Sequence, residues 1–401
     1  MSQSFKAVLN PNLEKILSQP YPFDVVDANK KKAIERFGND FIIDFGIGDP
    51  TDATPDAIRT VCKSAVDARK ASGYPTTNGH AEFKQAVCDW MKKRSNVSLL
   101  PEEVTATYGA KHACFLLPTF FLKPGKGELV LIPNPGYPPY TDGTLLAGGI
   151  PHYLNLLPEN NFSPNIGVID KKAAKKARLF FLNSPHSPTG AVYGKQKLKE
   201  IVDFCNDNNI VLVSDECYNE LFFGERPASI LEIPGAENCS IVLNSLSKRS
   251  MMTGYAVGFL ASKNPGLFKP IASVLRKSIQ GLATFIQDAA VCAWKDEAHT
   301  EQMRKIYAQR MDSFVPALQK TGCDIKKPFG TFYLWARVPK GFSSFSFSEK
   351  LLLEFGINSV PGDLVSKAFG GVNPGNNFVR FAMVAPLEKT QEAAKRLEKW
   401  K

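Results

Sequence analysis

The stretch RLFFLNSPHSPTGAVYGKQKLKEIVDFCNDNNIVLVSDECY, residues 178–218, decides the fold class of this chain. It begins with the apolar run RLFFL and ends with a second apolar run, IVLVS, directly before Asp215. The segment between the two runs has apolar residues at the spacing of one helix face: Leu198, Ile201, Val202 and Cys205. The stretch therefore predicts a strand–helix–strand unit with parallel strands and a right-handed connection.

Further short apolar runs lie on both sides of this unit: ELVLIP (128–133), SIVLN (240–244) and AVGFLA (256–261). None alternates strictly between apolar and polar residues, which is typical of strands buried on both faces of a parallel sheet. Near the C-terminus, GTFYLWARV (330–338) and NFVRFAMV (377–384) alternate more regularly, as in an antiparallel sheet with one covered face. The sequence therefore predicts a parallel sheet in the middle of the chain and an antiparallel sheet near its C-terminus.

These patterns predict an α/β fold in two domains. A large domain with a mainly parallel central sheet is expected over residues 50–290. A smaller α+β domain is expected from both termini, residues 1–49 plus 291–401. The length of 401 residues, with 44% hydrophobic and 22% charged residues, suits a globular protein of about two domains.

Charge and cysteine usage narrow the class of protein. The net charge is +10, but the densest lysine cluster, within residues 171–176, has no interleaved aromatic residue, so we expect no nucleic-acid partner. The eight cysteines form no CxxC pair, and the five histidines show no metal-binding spacing. No signal peptide and no apolar run of 18 residues is visible, so we expect a cytoplasmic protein with no metal and no membrane partner.

The predicted strands end in side chains that can do chemistry. Parallel strands bring their carboxyl ends to one sheet edge, where ligands bind. The residues that follow four of these runs are Tyr137 and Tyr140; Asn183, His186 and Ser187; Asp215, Glu216 and Tyr218; and Ser245, Ser247 and Lys248.

This set suits a planar, phosphorylated, electrophilic cofactor. A lysine can attack an aldehyde to form a Schiff base, and a carboxylate can keep a pyridine nitrogen protonated. An aromatic ring can stack on the cofactor, and hydroxyl groups can hold a phosphate. Pyridoxal 5′-phosphate meets all of these requirements.

The chain resembles the class I/II aminotransferases of the pyridoxal-phosphate-dependent transferase fold type I, and within them the enzymes that act on diaminopimelate. The resemblance covers nearly the whole chain. It rests on the order and spacing of many segments, among them FGIGDPTDATPDAI, GYPTTNGHAEFKQAV, PNPGYPPYTDGTLLAGG, SPTGAVY, SDECYNEL, SLSK and GTFYLWARVPKG. It implies a homodimer that exchanges an amino group between an amino acid related to LL-diaminopimelate and a 2-oxo acid such as 2-oxoglutarate, in lysine biosynthesis.

The resemblance also implies roles for individual residues. Lys248 is the Schiff-base lysine and proton carrier, Asp215 pairs with the pyridinium nitrogen, and Tyr218 donates to the phenolic oxygen. The further cofactor-binding residues are Tyr137, which stacks on the ring, Tyr74 from the neighbouring subunit, Ala110, Lys111, Asn183, Ser187, Ser245 and Ser247. The substrate-binding residues are Tyr21, Gly48 and Arg380, which holds the α-carboxylate.

Two positions depart from the family pattern. The family has Asn directly before PTG, where this chain has Ser187, and it has a phosphate-binding Arg where this chain has Ala256. Losing a charge-assisted bond to phosphate costs about 1.5–3 kcal/mol, which corresponds to roughly tenfold to hundredfold weaker binding. Arg249, next to Lys248, offers a replacement cation, and the sequence leaves open where its side chain points.

Other functions remain open at this stage. Within the same chemistry, the alternatives are an aspartate, aromatic or kynurenine aminotransferase and a β-lyase that uses the same cofactor. A catalytically impaired ligand-binding protein on the same fold is an alternative from another class, since Ser187 and Ala256 are both altered. A serine hydrolase is suggested by the S-x-x-K spacing of Ser245 and Lys248, but Ser214-Asp215-Glu216 does not supply the SDN element that such enzymes need.

Overall fold

The computed structural model describes residues 8–18, 22–278 and 280–400. Its strands, in chain order, are β1 (Ile43–Asp44), β2 (Val104–Thr107), β3 (Leu129–Asn134), β4 (Ile150–Asn155), β5 (Ala177–Asn183), β6 (Val211–Asp215), β7 (Ser240–Ser245), β8 (Gly258–Ala261), β9 (Tyr333–Arg337), β10 (Ile357–Asn358), β11 (Val360–Pro361) and β12 (Phe378–Ala382).

The α-helices are labelled in chain order in the same way. They are α1 (Pro11–Leu17), α2 (Pro22–Phe37), α3 (Asp56–Ala68), α4 (Ala81–Ser95), α5 (Gly109–Leu116), α6 (Pro118–Phe121), α7 (Pro138–Leu146), α8 (Lys171–Lys176), α9 (Lys195–Asn208), α10 (Ala236–Cys239), α11 (Leu246–Arg249), α12 (Pro265–Ser278), α13 (Thr284–Lys295), α14 (Ala298–Lys320), α15 (Ser344–Phe355) and α16 (Leu387–Leu397). Among the described residues, no helix has the length and apolar character to cross a membrane.

The main sheet has seven strands in the order β2-β8-β7-β6-β5-β3-β4. The strand–helix–strand unit predicted from residues 178–218 is β5, α9 and β6, and these two strands pair in parallel from Leu179↔Val211 to Asn183↔Asp215. Strands β3, β4 and β7 extend the parallel arrangement on either side. The predicted α/β fold with a mainly parallel central sheet is therefore confirmed.

Strand β8 differs from the expectation for the run AVGFLA. It is antiparallel to both of its neighbours, β7 and β2. The connection from β7 to β8 holds only the four-residue helix α11 and the short turn Thr253–Tyr255, so it cannot carry a helix across a face of the sheet as a parallel crossover does. The chain turns back at the sheet edge instead, which keeps the residues of α11 at the carboxyl end of β7.

Both faces of the main sheet are covered by apolar side chains. Phe180, Leu212 and Val242 belong to the hydrophobic core on one face, whereas their sequence neighbours Phe181 and Val213 belong to the core on the other face. Since successive strand residues point to opposite faces, both positions must be apolar when both faces are buried. This explains why the runs lack alternation.

The smaller sheet is antiparallel and has the order β11-β12-β9. Its central pair joins the two C-terminal segments singled out by their alternation, with Phe378 opposite Arg337 and Ala382 opposite Tyr333. Strand β1, from the N-terminal part, pairs in parallel with β10. Helices α14 and α16 pack together beside this region. The exact boundary of the two domains stays a prediction.

The core of this second region depends on a cluster of phenylalanines. Phe381 is fully buried, and its ring centroid lies 5.5 Å from that of Phe314 and 6.5 Å from that of Phe45. These residues come from three segments distant in sequence. The cluster therefore joins an N-terminal segment, helix α14 and strand β12.

We expect Phe381→Ala to lower the free energy of unfolding by about 3–5 kcal/mol, because it leaves a cavity among rings that cannot close up. Urea unfolding followed by tryptophan fluorescence measures this loss. Phe329→Ala is the control, since Phe329 is 72% exposed and surface substitutions cost about 0.5 kcal/mol or less. Equal losses for the two variants would contradict the packing described here.

Candidate active site

Polar groups from three neighbouring strands meet at one edge of the main sheet. Asn183, Asp215 and Ser245 are the last residues of β5, β6 and β7, and all three are buried. The Asn183 side-chain amide donates to the backbone oxygen of Asp215 over 2.8 Å. Lys248 follows at once in α11 and is half-buried. The ends of these strands and Lys248 therefore form the polar cluster that the sequence predicts at this edge.

The Asp215 carboxylate is held from two sides. Its Oδ2 accepts a hydrogen bond of 2.6 Å from the Tyr140 hydroxyl and lies 3.8 Å from the Cys114 sulfur, and its Oδ1 accepts from the backbone N–H of Cys217. Burial, and then the charge of Asp215, raise the pKa of both Tyr140 and Cys114 well above their usual values. Both groups therefore stay protonated as donors to the carboxylate.

The backbone of residues 46–48 joins the lysine to the predicted substrate-binding arginine. Lys248 Nζ donates to the Gly48 carbonyl over 2.6 Å, and Arg380 Nη2 donates to the Gly46 carbonyl over 2.6 Å. Arg380 is 5% exposed, and its Nε has no hydrogen-bond partner among the described residues. A buried guanidinium with an unused donor is suited to hold a carboxylate.

Tyr333 is a site residue that the sequence analysis missed. Its hydroxyl lies 3.4 Å from that of Tyr218, and the Arg380 guanidinium lies 4.6 Å from its ring centroid. A Cβ at position 48 would overlap the Tyr333 hydroxyl, so only glycine fits at Gly48. The alternation of GTFYLWARV places Tyr333 on the covered face of a strand, but it does not indicate which site that face meets.

Tyr218 extends the aromatic contacts that begin with Arg380 and Tyr333. Its ring packs edge-on against Tyr333, with centroids 5.9 Å apart. Burial raises the pKa of Tyr218 well above its usual value. The phenol therefore stays protonated and can donate a hydrogen bond to a bound ligand.

A cradle for an anion lies beside Lys248. The first turn of α5 receives no side-chain cap from Tyr108, and the amide groups and dipole of a helix N-terminus favour an anion. The Ser245 and Ser247 hydroxyls lie 2.9 Å apart, and a Cβ at Gly109 would lie 3.7 Å from Ser245 Oγ. Ala110 is buried in this first turn, whereas the Lys111 side chain is exposed.

Arg249 does not supply the cation that the family places at position 256. Its guanidinium is 1% exposed, lies within 5.6 Å of the rings of Trp90 and Trp294, and donates to the Ala293 carbonyl and to Glu297. Ala256 is exposed, with a φ of 48°. The cradle therefore depends on the hydroxyls and the amide groups of α5.

The loop after β5 is held by Asn183. The Asn183 side-chain oxygen accepts from the backbone N–H of Ser187 over 2.7 Å, and Ser187 is half-buried. His186 turns inward, where its Nδ1 lies 2.8 Å from the Thr189 hydroxyl, and burial lowers its pKa to about 3. His186 is therefore a neutral residue of the loop interior, and Asn183 and Ser187 remain at the cleft.

The remaining predicted tyrosines differ in placement. Tyr137 is half-buried and packs edge-on against Tyr140, with ring centroids 5.6 Å apart, so it lies beside the residue that holds Asp215. Tyr74 is 87% exposed, on the segment between α3 and α4, and is not drawn into this cluster. Tyr21 lies outside the described residues.

The residues present fit pyridoxal 5′-phosphate. The cleft combines an amine, a buried carboxylate with protonated donors, a phenol and an anion cradle at a helix N-terminus. These are the groups needed by an aldehyde, a ring nitrogen, a phenolic oxygen and a phosphate, respectively. Arg380, bonded to the Gly46 carbonyl, is the candidate for a substrate carboxylate near Lys248, which bonds to the Gly48 carbonyl.

Comparison with known proteins agrees with this fit to pyridoxal 5′-phosphate. The family model "Aminotransferase class I and II" matches residues 41–397. The chain is 37% identical over 385 residues to LL-diaminopimelate aminotransferase of Aquifex aeolicus (strain VF5), covering 95% of this chain and 97% of that protein. The solved structure of the aromatic aminotransferase from Pyrococcus horikoshii OT3 matches with a TM-score of 0.82 and 32% identity, covering 92% of this chain and 98% of that chain. A single mutant of Thermus thermophilus aspartate aminotransferase matches with a TM-score of 0.87 and 25% identity, covering 98% of this chain and 99% of that chain.

We expect Ala256→Arg to tighten pyridoxal 5′-phosphate binding about tenfold to hundredfold, because it adds a charge-assisted bond to the phosphate. Titration of the cofactor-free protein, followed by the absorbance of bound cofactor, measures the dissociation constant. Ala256→Gln is the matched control, with a long neutral side chain and no expected gain. An unchanged dissociation constant for Ala256→Arg would show that position 256 does not face the phosphate.

Proposed function

The chain belongs to the class I and II aminotransferase family, and we propose that it moves an amino group between LL-diaminopimelate, or a closely related amino acid, and 2-oxoglutarate. It is a transaminase that depends on pyridoxal 5′-phosphate. The substrate is supported by the similarity to LL-diaminopimelate aminotransferase over nearly the whole of both chains. The corresponding role is in lysine biosynthesis.

One observation carries the proposal: the amine of Lys248 and the guanidinium of Arg380 bond to carbonyls two residues apart, at Gly48 and Gly46. An α-amino acid has its carboxylate one bond from the α-carbon. If Arg380 holds that carboxylate, the α-carbon lies on the side of the cleft that Lys248 occupies. This spacing supports chemistry at the α-carbon.

Arg380 and Lys248 have separate roles in the proposed transamination. When bound, pyridoxal 5′-phosphate supplies an aldehyde that captures amines and a ring that takes up electrons from the substrate α-carbon. Arg380 orients the substrate through its carboxylate, which fixes the α-hydrogen relative to Lys248. Lys248 Nζ, once it leaves the Gly48 carbonyl, would accept that hydrogen as a proton. It would then return the proton to the carbon that carried the aldehyde of the cofactor.

The Asp215 carboxylate ends strand β6 at the cleft. Tyr140 and the backbone N–H of Cys217 donate hydrogen bonds to it and orient it. A fixed carboxylate at this point favours a protonated ring nitrogen, which strengthens electron withdrawal. Tyr218 supplies a phenol donor near the same ring.

We propose for the other predicted residues the roles that the family resemblance gives them. Tyr137 lies beside Tyr140 and would stack on the ring. We propose that the remaining contacts to the cofactor come from Ala110, Lys111, Asn183, Ser187, Ser245 and Ser247. The remaining substrate contacts that we propose are made by Tyr21 and Gly48.

An aspartate or aromatic amino acid is the second candidate substrate. It is supported by the solved aminotransferases of those names, at 25% and 32% identity. The identity to the relative named for LL-diaminopimelate is higher, at 37%, and therefore favours the first candidate.

We expect Lys248→Ala to abolish transamination, because no other amine takes the place of Lys248 Nζ at Gly48. A panel of amino donors containing LL-diaminopimelate, aspartate, tyrosine and kynurenine measures both activity and preference. Borohydride reduction of the cofactor-loaded enzyme, followed by peptide mapping, locates the attachment site. A label on any other lysine would overturn the assignment of Lys248, and a preference for another donor would overturn the substrate proposal.

We further propose that the protein is a homodimer with shared sites. The support is Tyr74, which the family resemblance assigns to the partner's phosphate and which is 87% exposed within one chain. Large aromatic side chains with this exposure are common at interfaces. We also propose a cytoplasmic location, a large domain over residues 50–290 and a small domain over residues 1–49 plus 291–401.

Mixing two variants, one impaired at Tyr74 and one inactive at Lys248, tests the shared site. The Tyr74→Ala chain lacks only the phosphate contact and the Lys248→Ala chain lacks only the amine, so a mixed dimer has one site with both groups. We expect activity to rise when the two variants are unfolded, mixed and refolded together, relative to each variant refolded alone. Light scattering gives the oligomeric state. No rise in a dimeric mixture would contradict the assignment of Tyr74 to the partner's site.

A further inference from the structure

The lysine of the cleft lies in a helix of a single turn. Helix α11 contains only Leu246–Arg249, and a turn this short is not stable by its own hydrogen bonds. Its start is held by Ser245, whose side chain accepts from the Ser247 N–H over 3.2 Å. Its end is closed by Ser250, whose backbone N–H donates to the carbonyl of the first helix residue over 2.9 Å. The position of Lys248 therefore depends on the contacts that hold these two serines.

A chain of hydrogen bonds links Ser250 to the core. The Ser250 hydroxyl lies 2.8 Å from Nε2 of His299, and Nδ1 of the same ring lies 2.9 Å from Oδ2 of Asp296. Ser250 is fully buried and His299 is 9% exposed. His299 lies in the first turn of α14, and Asp296 directly follows α13. The end of α11 is thus bonded to the junction of α13 and α14.

The partners fix the direction of each bond in this chain. A carboxylate only accepts, so His299 Nδ1 carries a hydrogen and donates to Asp296. Burial, and then the charge of Arg249, lower the pKa of His299. The ring is therefore neutral at neutral pH, its Nε2 accepts, and the Ser250 hydroxyl donates to it. The Ser250 oxygen in turn accepts from Arg249 Nη1 over 3.3 Å, so this hydroxyl both donates and accepts.

The same three residue types, joined through the same ring nitrogens, form the catalytic triad of serine hydrolases. A nucleophilic serine must be within reach of its substrate, whereas Ser250 has no exposed surface. Its oxygen also accepts a hydrogen bond from a guanidinium, which makes it a poorer nucleophile. The three residues therefore do not suit nucleophilic catalysis. Their place at the end of α11 suits them to hold that turn.

We propose that Ser250 and His299 are positioning residues for Lys248. Their hydrogen bond, backed by Asp296, holds the end of α11 and thereby keeps the amine of Lys248 in the cleft. Because Arg249 anchors the same turn independently, we expect loss of this bond to misplace the amine and not to unfold the helix. This inference rests on the proposed function, because it concerns the amine that takes up the cofactor.

The rate at which Lys248 captures pyridoxal 5′-phosphate reports the position of its amine. Cofactor-free protein is mixed with saturating cofactor, samples are reduced with borohydride at timed intervals, and the label on Lys248 is quantified by peptide mapping. We expect Ser250→Ala and His299→Leu each to lower the rate constant about tenfold, the loss that corresponds to one buried hydrogen bond. A wild-type rate in either variant would overturn the assignment.

Pyridoxamine 5′-phosphate separates the position of the amine from the shape of the cleft. It carries an amine in place of the aldehyde, so Lys248 cannot capture it. We expect its dissociation constant, measured by equilibrium dialysis, to be the same in the wild type and both variants, since the anion cradle and Asp215 are unchanged. Weaker binding in step with slower capture would show a general disturbance of the cleft and would overturn the positioning role.

The double variant tests whether the two residues act through one bond. Both substitutions break the same bond, so we expect the double variant to be no slower than either single variant. Independent losses, about hundredfold together, would contradict the proposal.

Ser240→Ala is the matched control. The buried Ser240 hydroxyl donates to the Ala236 carbonyl over 2.6 Å, at the other end of β7 from the cleft. Its loss should lower the free energy of unfolding in urea about as much as Ser250→Ala does, and leave the capture rate unchanged. Equally slow capture in this control would show that any buried hydroxyl has the same effect, and the positioning role would be wrong.

The experiment needs no amino-acid substrate, so the choice of donor does not affect it. If the wild type is labelled at Lys248 and the variants capture the cofactor at the wild-type rate, only the positioning role is wrong. If the wild type is not labelled at Lys248, the proposed function and the positioning role are both wrong.

Discussion

The backbone of residues 46–48 is the constraint on which the site depends. Its carbonyls accept hydrogen bonds from Lys248, which follows a strand of the main sheet, and from Arg380, which lies in the central strand of the smaller sheet. Neither sheet contains both groups. The N-terminal segment therefore sets the distance between amine and guanidinium, and the pairing of β1 with β10 holds that segment in place.

The sequence predicts most of the features that depend on neighbouring residues in the chain, such as strands and the residues near their ends. The apolar runs become strands, and Asp215 and Lys248 are found at the sheet edge because Asp215 ends β6 and Lys248 lies in the short helix that follows β7. The direction of β8 was not predictable from its own residues, since it depends on the length of the connection before it. Tyr333 was missed for a related reason: its partners Gly48 and Tyr218 are far away in sequence, and only packing brings the three together.

Arg249 shows how a sequence neighbour can belong to a different part of the structure. Consecutive residues on a helix point about 100° apart, so Lys248 faces the cleft and Arg249 enters the core. The positive charge of Arg249 therefore lies in the core, away from the cleft in which we propose that the cofactor phosphate binds. With Ala256 and Ser187 in place of charged or longer polar side chains, the phosphate binding that we propose relies on the Ser245 and Ser247 hydroxyls and the N-terminus of α5.

The buried position of Arg249 also limits how freely the amine of Lys248 can move. Its guanidinium packs against a pair of tryptophan rings and donates hydrogen bonds to the end of α13 and to Glu297, so these contacts anchor the backbone next to Lys248. Only the torsions of the lysine side chain remain to be ordered before reaction, and the conformational entropy lost at that step is correspondingly small. Residues far from the cleft thus preorganise the amine that we propose as the proton carrier.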